Sequence, residues 1–338
     1  MAPRLPDRIC LTSGPTPIEP AHRLGERLGF ELYVKRDDLT GFAESGNKVR
    51  KLEFLVREAL DQGADTLITV GALQSNCARA TAVVAARLGL RCVLGLRGDR
   101  PAVADGNLLL SRLFGADTVF VPPQEVDQPD ALFARLTERV REGGGRPYVI
   151  PESGSNELGV LGYAALVEEL QAQIAAGAPA PDKIVIAAWS GGSLAGLYLG
   201  KALFGLNAEI WGVPIAFEAE AIRDYVWTTV RKAASRFGFD VNVERHAIRL
   251  LDGYQGFGRA TTRPAELSMV ERAARETGLL LDPVYTAKAF LAVMELGRND
   301  PCALGRRVLF LHTGGGFGVF PFREPLTRLL DGEVLPET

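Results

Sequence analysis

The chain has 338 residues, 47% hydrophobic and 23% charged, the balance of a globular protein and not of a disordered or fibrous one. Lysine and arginine number 38 against 41 acidic residues, a net charge of −3, without the basic footprint of a nucleic-acid binder. No apolar stretch reaches membrane-spanning length and residues 1–10 lack the apolar core of a signal peptide, so no membrane partner and a cytoplasmic location are expected.

Four separated cysteines with no CxxC pair, and only three histidines, leave disulfide, zinc and Ser-His-Asp chemistry poorly supplied. In chain order, short β-branched runs at 31–37, 65–71, 91–96, 117–122, 147–151, 183–190, 208–214 and 307–316 predict strands. Amphipathic stretches over 48–62, 75–88 and 131–143 predict helices between them. Such alternation predicts an α/β protein whose mostly parallel sheets are covered by helices on both faces. Gly63 and Gly115, each followed by Ala-Asp-Thr, read as helix ends leading into strands. They mark a compact βα series, so a small domain over 52–157 is expected inside a larger one made of 1–51 and 158–338. Functional residues are then expected at the carboxyl ends of strands.

Five such junctions carry chemistry-bearing residues. Gly46-Asn47-Lys48 delivers a lysine to a helix N-terminus, where the helix dipole and the cations Arg50 and Lys51 disfavour its ammonium form, as a Schiff-base lysine requires. Gln74-Ser75-Asn76 opens the next helix, as ordinary caps or as a carboxylate site of backbone N–H groups. Ser190-Gly191-Gly192-Ser193-Leu194 follows an apolar strand and serves equally as a tight turn or a phosphate site. It matches neither Walker A nor GxGxxG. Asp282-Pro283-Val284-Tyr285-Thr286 reads as a helix start with Asp282 as cap, and His312-Thr313 ends the last strand, with His312 a packed strand residue and not a base.

Together, and with Gly14 to Pro17 and Val34 to Asp38, these motifs resemble the pyridoxal-phosphate enzymes of the tryptophan-synthase β fold (fold type II), in the branch of D-cysteine desulfhydrase and 1-aminocyclopropane-1-carboxylate (ACC) deaminase. The resemblance runs nearly end to end. It implies two domains, each an open, twisted, mostly parallel sheet flanked by helices, with pyridoxal 5′-phosphate as cofactor. It makes Lys48 the Schiff-base lysine, Lys51 and Ser190 to Leu194 the phosphate contacts, and Asn76 the partner of the cofactor's phenolic oxygen. It places Gln74, Ser75 and Asn76 at the substrate, with Ser75 assisting proton transfer, Tyr285 beside the pyridine ring and able to act on the substrate, and Thr313 facing the ring nitrogen. Departures fall at Cys77, where the family has His or Gln, at Phe257, where it has a second tyrosine that Tyr254 could replace, and at Gly315 to Phe320, which adds aromatic bulk.

ACC deaminases carry Glu where this chain has Thr286 and Leu at the last-strand position held here by Thr313. Neutral hydroxyls suit an unprotonated pyridine nitrogen, a weaker electron sink that favours β-elimination over cyclopropane opening. The expected reaction is thus α,β-elimination on a small amino acid such as D-cysteine, giving pyruvate, ammonia and hydrogen sulfide, in a homodimer. The rivals are a cysteate sulfo-lyase, a β-replacement enzyme, an ACC deaminase, and a cofactor-binding protein without turnover. A Rossmann-type oxidoreductase is disfavoured for want of GxGxxG.

Overall fold

A computed structural model describes residues 3–122, 129–256 and 262–336. Eleven helices and ten strands occur among them, arranged on two sheets. The six-stranded sheet has the order β1 (Ile18–Pro20), β2 (Glu31–Lys35), β10 (Arg307–Leu311), β7 (Lys183–Ala188), β8 (Glu209–Pro214), β9 (Arg249–Leu250), with β1 antiparallel and the rest parallel. The four-stranded sheet, wholly parallel, runs β5 (Asp117–Val121), β4 (Arg91–Arg97), β3 (Thr66–Ala72), β6 (Pro147–Val149). The continuous apolar runs that predicted β3, β4 and β7 are buried on both faces, as parallel strands between helical layers must be. The brief β1 and β9 lack any such run, which is why the sequence does not announce them. Gly63 and Gly115 do follow helices in the left-handed conformation, at φ 68° and 81°.

All strands of the smaller sheet fall within 66–149, and those of the larger sheet lie on either side. The boundary expected after residue 51 falls inside one continuous helix, α2 (Asn47–Asp61), which packs on α3 (Asn76–Leu88) and on α6 (Leu161–Ala175). The largest apolar cluster lies between the sheets and takes in α2, α3, α6 and α7 (Gly192–Phe204). Two smaller clusters cover the outer faces: α1 (His22–Leu28), α9 (Pro264–Thr277) and α10 (Thr286–Asn299) on the large sheet, α5 (Pro129–Glu142) on the small one. Among the described residues no helix is long and apolar enough to cross a membrane.

Helix approach in the middle layer depends on absent side chains. A Cβ on Gly162 would lie 2.4 Å from the Arg50 carbonyl oxygen, and one on Gly196 would lie 2.2 Å from that of Val160. Bare backbone at these points lets α6 sit against α2 and α7 against α6, so the start of α2 and the start of α7 face one another.

The orientation of α2 about its own axis is set by a buried ionic cluster. Arg50 donates to Asp37 through Nε and Nη2, both at 2.9 Å, and to Glu169 on α6 through Nη1, also at 2.9 Å. Tyr163 and Thr16 donate their hydroxyls to Asp37 at 3.0 and 2.8 Å, while Lys35 of β2 joins Glu169 and the Thr16 carbonyl. Burial works against the Arg50 charge, but Asp37 and Glu169 outweigh it and hold the guanidinium firmly protonated. Breaking one arm leaves buried charges unpaired, so Arg50→Met is expected to destabilise the fold by about 3–5 kcal/mol. Urea unfolding measures this, and a loss below about 1 kcal/mol would show that the cluster does not hold α2.

Candidate active site

A pocket opens at the carboxyl ends of β7 and β10, where α2 and α7 begin. Ten of the residues singled out in the sequence line it together: Lys48, Lys51, Asn76, Ser190, Gly191, Gly192, Ser193, Leu194, Tyr285 and Thr313. They come from five chain segments, and local chemistry sets where these begin. Ser75 caps α3 by accepting the Ala78 N–H at 3.1 Å, which puts Asn76 in the first helical position. The loop before α2 is tied to the large sheet where the Asn47 N–H meets the Thr313 carbonyl at 3.0 Å.

Lys48 and Lys51 stand one turn apart on the same face of α2, whereas Arg50, two positions from Lys48, points to the ionic cluster. The sequence expectation that Arg50 depresses the Lys48 ammonium is therefore corrected. Burial lowers it, partly countered by Cys77 and Glu152. Lys51 is driven far below the ordinary lysine range, first by burial and then by the Lys48 charge. Lys51 Nζ donates to Ser155 Oγ at 2.9 Å and to the Ser153 carbonyl at 3.3 Å. Neither lysine meets a carboxylate among the described residues, and none of the pocket-lining residues is acidic. Two buried amines without counter-charge call for an anion.

The start of α7 supplies the matching cradle. Its first N–H groups have no partners within the helix, and Gly191 reaches it in the left-handed conformation at φ 91°. A Cβ on Gly192 would stand 2.2 Å from Ser155 Oγ and 2.9 Å from Lys51 Nζ, so the cradle exists only because that residue is glycine. Ser193 is held from across the pocket by Asn47 Nδ2 at 3.0 Å, and Ser190 Oγ reaches Ser155 Oγ at 3.4 Å. An amine that can be neutral beside a cationic cradle of backbone N–H groups fits a phosphorylated aldehyde.

Several expected residues face elsewhere. Gln74 does not line the pocket: its amide accepts the Asn107 N–H at 2.9 Å and donates to the Asp105 carbonyl at 3.1 Å, pinning the start of α4 (Gly106–Leu113). Asn107 in turn donates to Asn76 Oδ1 at 3.1 Å, so Gln74 acts on the site by holding the partner of Asn76. The hydroxyl of Ser75 is occupied by its cap, and the pocket does not include it. Tyr254 donates to Glu295 at 3.0 Å on the far side of α10, so it does not stand in for the missing phenol. Phe257 lies outside the described residues. Thr286 is fully buried and locked to Asp282 through its hydroxyl at 2.7 Å, which removes it from the comparison of ring-nitrogen partners and leaves Thr313 alone there. Asp282 caps from outside the helix, accepting N–H groups of Val284, Tyr285 and Thr286, so α10 begins at Thr286 and not at Pro283. His312 is a packed residue: Nε2–H donates to the Leu280 carbonyl and Nδ1 accepts from Gly314, with burial holding the ring neutral.

Sequence reasoning misses Ser155, Trp189 and Asn107. Ser155 follows β6 at a strand end, and Trp189 directly precedes the glycine turn. Trp189 lines the pocket with its ring 5.5 Å from that of Tyr285, whose phenol burial pushes up, keeping it protonated. Ser153, beside Lys51, is the one non-glycine residue with positive φ among those described, at 63°.

A family model for "Pyridoxal-phosphate dependent enzyme" matches residues 9–314. The chain is 42% identical over 315 residues to a Thermotoga maritima protein named "Putative 1-aminocyclopropane-1-carboxylate deaminase", covering 93% of this chain and 97% of that one. It is 40% identical over 321 residues to the D-cysteine desulfhydrase of Yersinia pestis, covering 93% and 96%. The crystal structure of an ACC deaminase homologue superposes with a TM-score of 0.85 at 34% identity over 96% of each chain.

Two outcomes test the local geometry. Gly192→Ala is expected to weaken cofactor binding at least tenfold without unfolding the chain, read by equilibrium titration of the apoprotein. Ser153→Gly relieves a left-handed conformation that costs a side chain about 1 kcal/mol. It should raise the unfolding free energy by nearly that amount in a urea titration.

Proposed function

Since the chain belongs to the pyridoxal-phosphate dependent enzyme family, we propose that its pocket catalyses α,β-elimination on a small amino acid, D-cysteine first among candidates, releasing pyruvate, ammonia and hydrogen sulfide. Bound pyridoxal phosphate supplies the electron sink for such chemistry. Lys48 would hold the cofactor's aldehyde carbon and, as a free amine, would be the base that moves the substrate Cα proton. Its low ammonium stability under burial suits both roles. Lys51, Ser190 and the N–H groups at the start of α7 hold the phosphate, with Ser155 added to that set. Asn76, oriented by Asn107, addresses the phenolic oxygen, and the N–H groups at the start of α3 receive the substrate carboxylate. Ser75 reaches the substrate only by exchanging its cap bond, so its part in proton transfer is the weakest of these roles.

The observation that carries the choice of reaction is that, among the described residues, no acidic side chain lines the pocket, whereas Thr313 does. A ring nitrogen without a carboxylate stays unprotonated, which favours expulsion of a β-substituent over cyclopropane opening. ACC deamination, cysteate desulfonation and β-replacement remain the rival activities on the same residues. The reading includes a cytoplasmic location and a homodimer, the latter supported by exposed Phe42, Leu109, Leu113 and Phe320.

The experiment is pyruvate release across D- and L-cysteine, D-serine, β-chloroalanine, cysteate and ACC, alongside the visible absorbance of the purified protein with and without Lys48→Ala. D-cysteine or β-chloroalanine should turn over fastest, and Lys48→Ala should abolish both turnover and the Schiff-base absorbance. A preference for ACC would overturn the argument from the pocket lining, and a colourless wild type that pyridoxal phosphate cannot reconstitute would overturn the reading as a whole.

A further inference from the structure

Arg79 is the largest fully buried side chain that the proposed chemistry leaves unused. It stands one turn into α3, three residues beyond Asn76. A buried guanidinium is normally retained by a carboxylate. Here the nearby acid, Glu44, pairs with Arg87 instead, and Arg79 Nε has no partner among the described residues.

What the guanidinium does hold is backbone and an aromatic face. Nη1 donates to the Ala43 carbonyl and Nη2 to that of Ser45 at 2.8 Å, so both ends of the fork grip the loop that runs into Gly46, Asn47 and Lys48. The ring of Phe317 lies over the guanidinium, 5.1 Å from its carbon to the ring centroid. Phe317 follows Thr313 and Gly314 of the pocket wall by a few residues, and it meets the exposed Phe42 edge to face at 6.0 Å. Beyond it the same turn is anchored on the small-sheet side, where Arg323 pairs with Asp105.

We propose that Arg79 is the positioning residue of this site, joining at one guanidinium the three segments that carry Lys48, Asn76 and Thr313. Each segment belongs to a different secondary-structure unit, and no other described side chain bonds two carbonyls of the Lys48 loop from α3. A planar fork with two directed donors and a stackable face does this where an ammonium cannot. Arg79 does not line the pocket, and its effect passes through where Lys48 is held.

The inference rests on the assignment of Lys48 to the cofactor made above. The test uses the pyridoxal-phosphate-loaded enzyme with Arg79→Lys, Phe317→Leu and the double variant. Melting temperature, visible absorbance, kcat and KM are read on each. Arg79→Lys should keep the bound-cofactor absorbance but lower kcat about ten- to a hundredfold, the cost of an ångström-scale misplacement, with KM within about twofold. Phe317→Leu should lower kcat less, and the double variant should lose less than the product of the two singles, because both act on one guanidinium.

Losses confined to melting temperature, or independent multiplication of the two effects on kcat, would overturn the role. Should Arg79→Lys fail to fold, Phe317→Leu decides: reduced kcat at unchanged KM supports it, and wild-type kcat sinks it. Failure of the underlying assignment looks different, since the wild type would then lack an absorbance that Lys48→Ala removes.

Discussion

The site depends on the rotation of one helix. Arg50 is drawn into the cluster of Asp37, Glu169, Lys35, Tyr163 and Thr16, and a helix that sends Arg50 there must turn Lys48 roughly the opposite way, with Lys51 beside it one turn on at the pocket. The cluster is charged, buried and built from the segment before β1, β2, the turn after it, α2 and α6, so few small rotations satisfy all its members at once. Apolar packing alone would tolerate α2 at several rotations; directed bonds from a forked guanidinium do not. The orientation of Lys48 is thereby delegated to residues outside the pocket lining.

Much of the architecture is legible in the residues because a parallel strand between two helical layers must be apolar on both faces, and 183–188 and 66–71 show it plainly. The loops at the strand ends are legible mainly in combination: the glycine pair before Ser193 reads equally as a tight turn, and it gains meaning from Lys48, Asn76 and Tyr285 around the same pocket. What sequence does not carry is the direction of a polar side chain that has two possible partners. Gln74, Tyr254 and Thr286 each sit near the site in the chain, and each is claimed by a nearer partner in space, Asn107, Glu295 and Asp282. Ser155 escaped notice because its importance comes from Gly192, 37 residues later, leaving room for it.

The electrostatics of the pocket follow from composition of the wall and not from any one residue. Burial removes water from two lysines and from the Tyr285 phenol, and no carboxylate is present in the lining to compensate. Burial also raises the thiol of Cys77, with Lys48 and Lys51 pulling it the other way.

The uncompensated pair Lys48 and Lys51 also bears on the life of the chain outside catalysis. Without an anion, a fold that buries both amines must neutralise at least one, a cost carried by the empty protein alone. A tightly held phosphate ligand removes that cost, and any ligand that binds only the native chain adds RT ln(1 + [L]/Kd) to its stability, about 4 kcal/mol at a thousandfold excess over Kd. The stability of the folded chain is therefore tied to the concentration of the phosphate ligand that fills the pocket, and not to its packing alone.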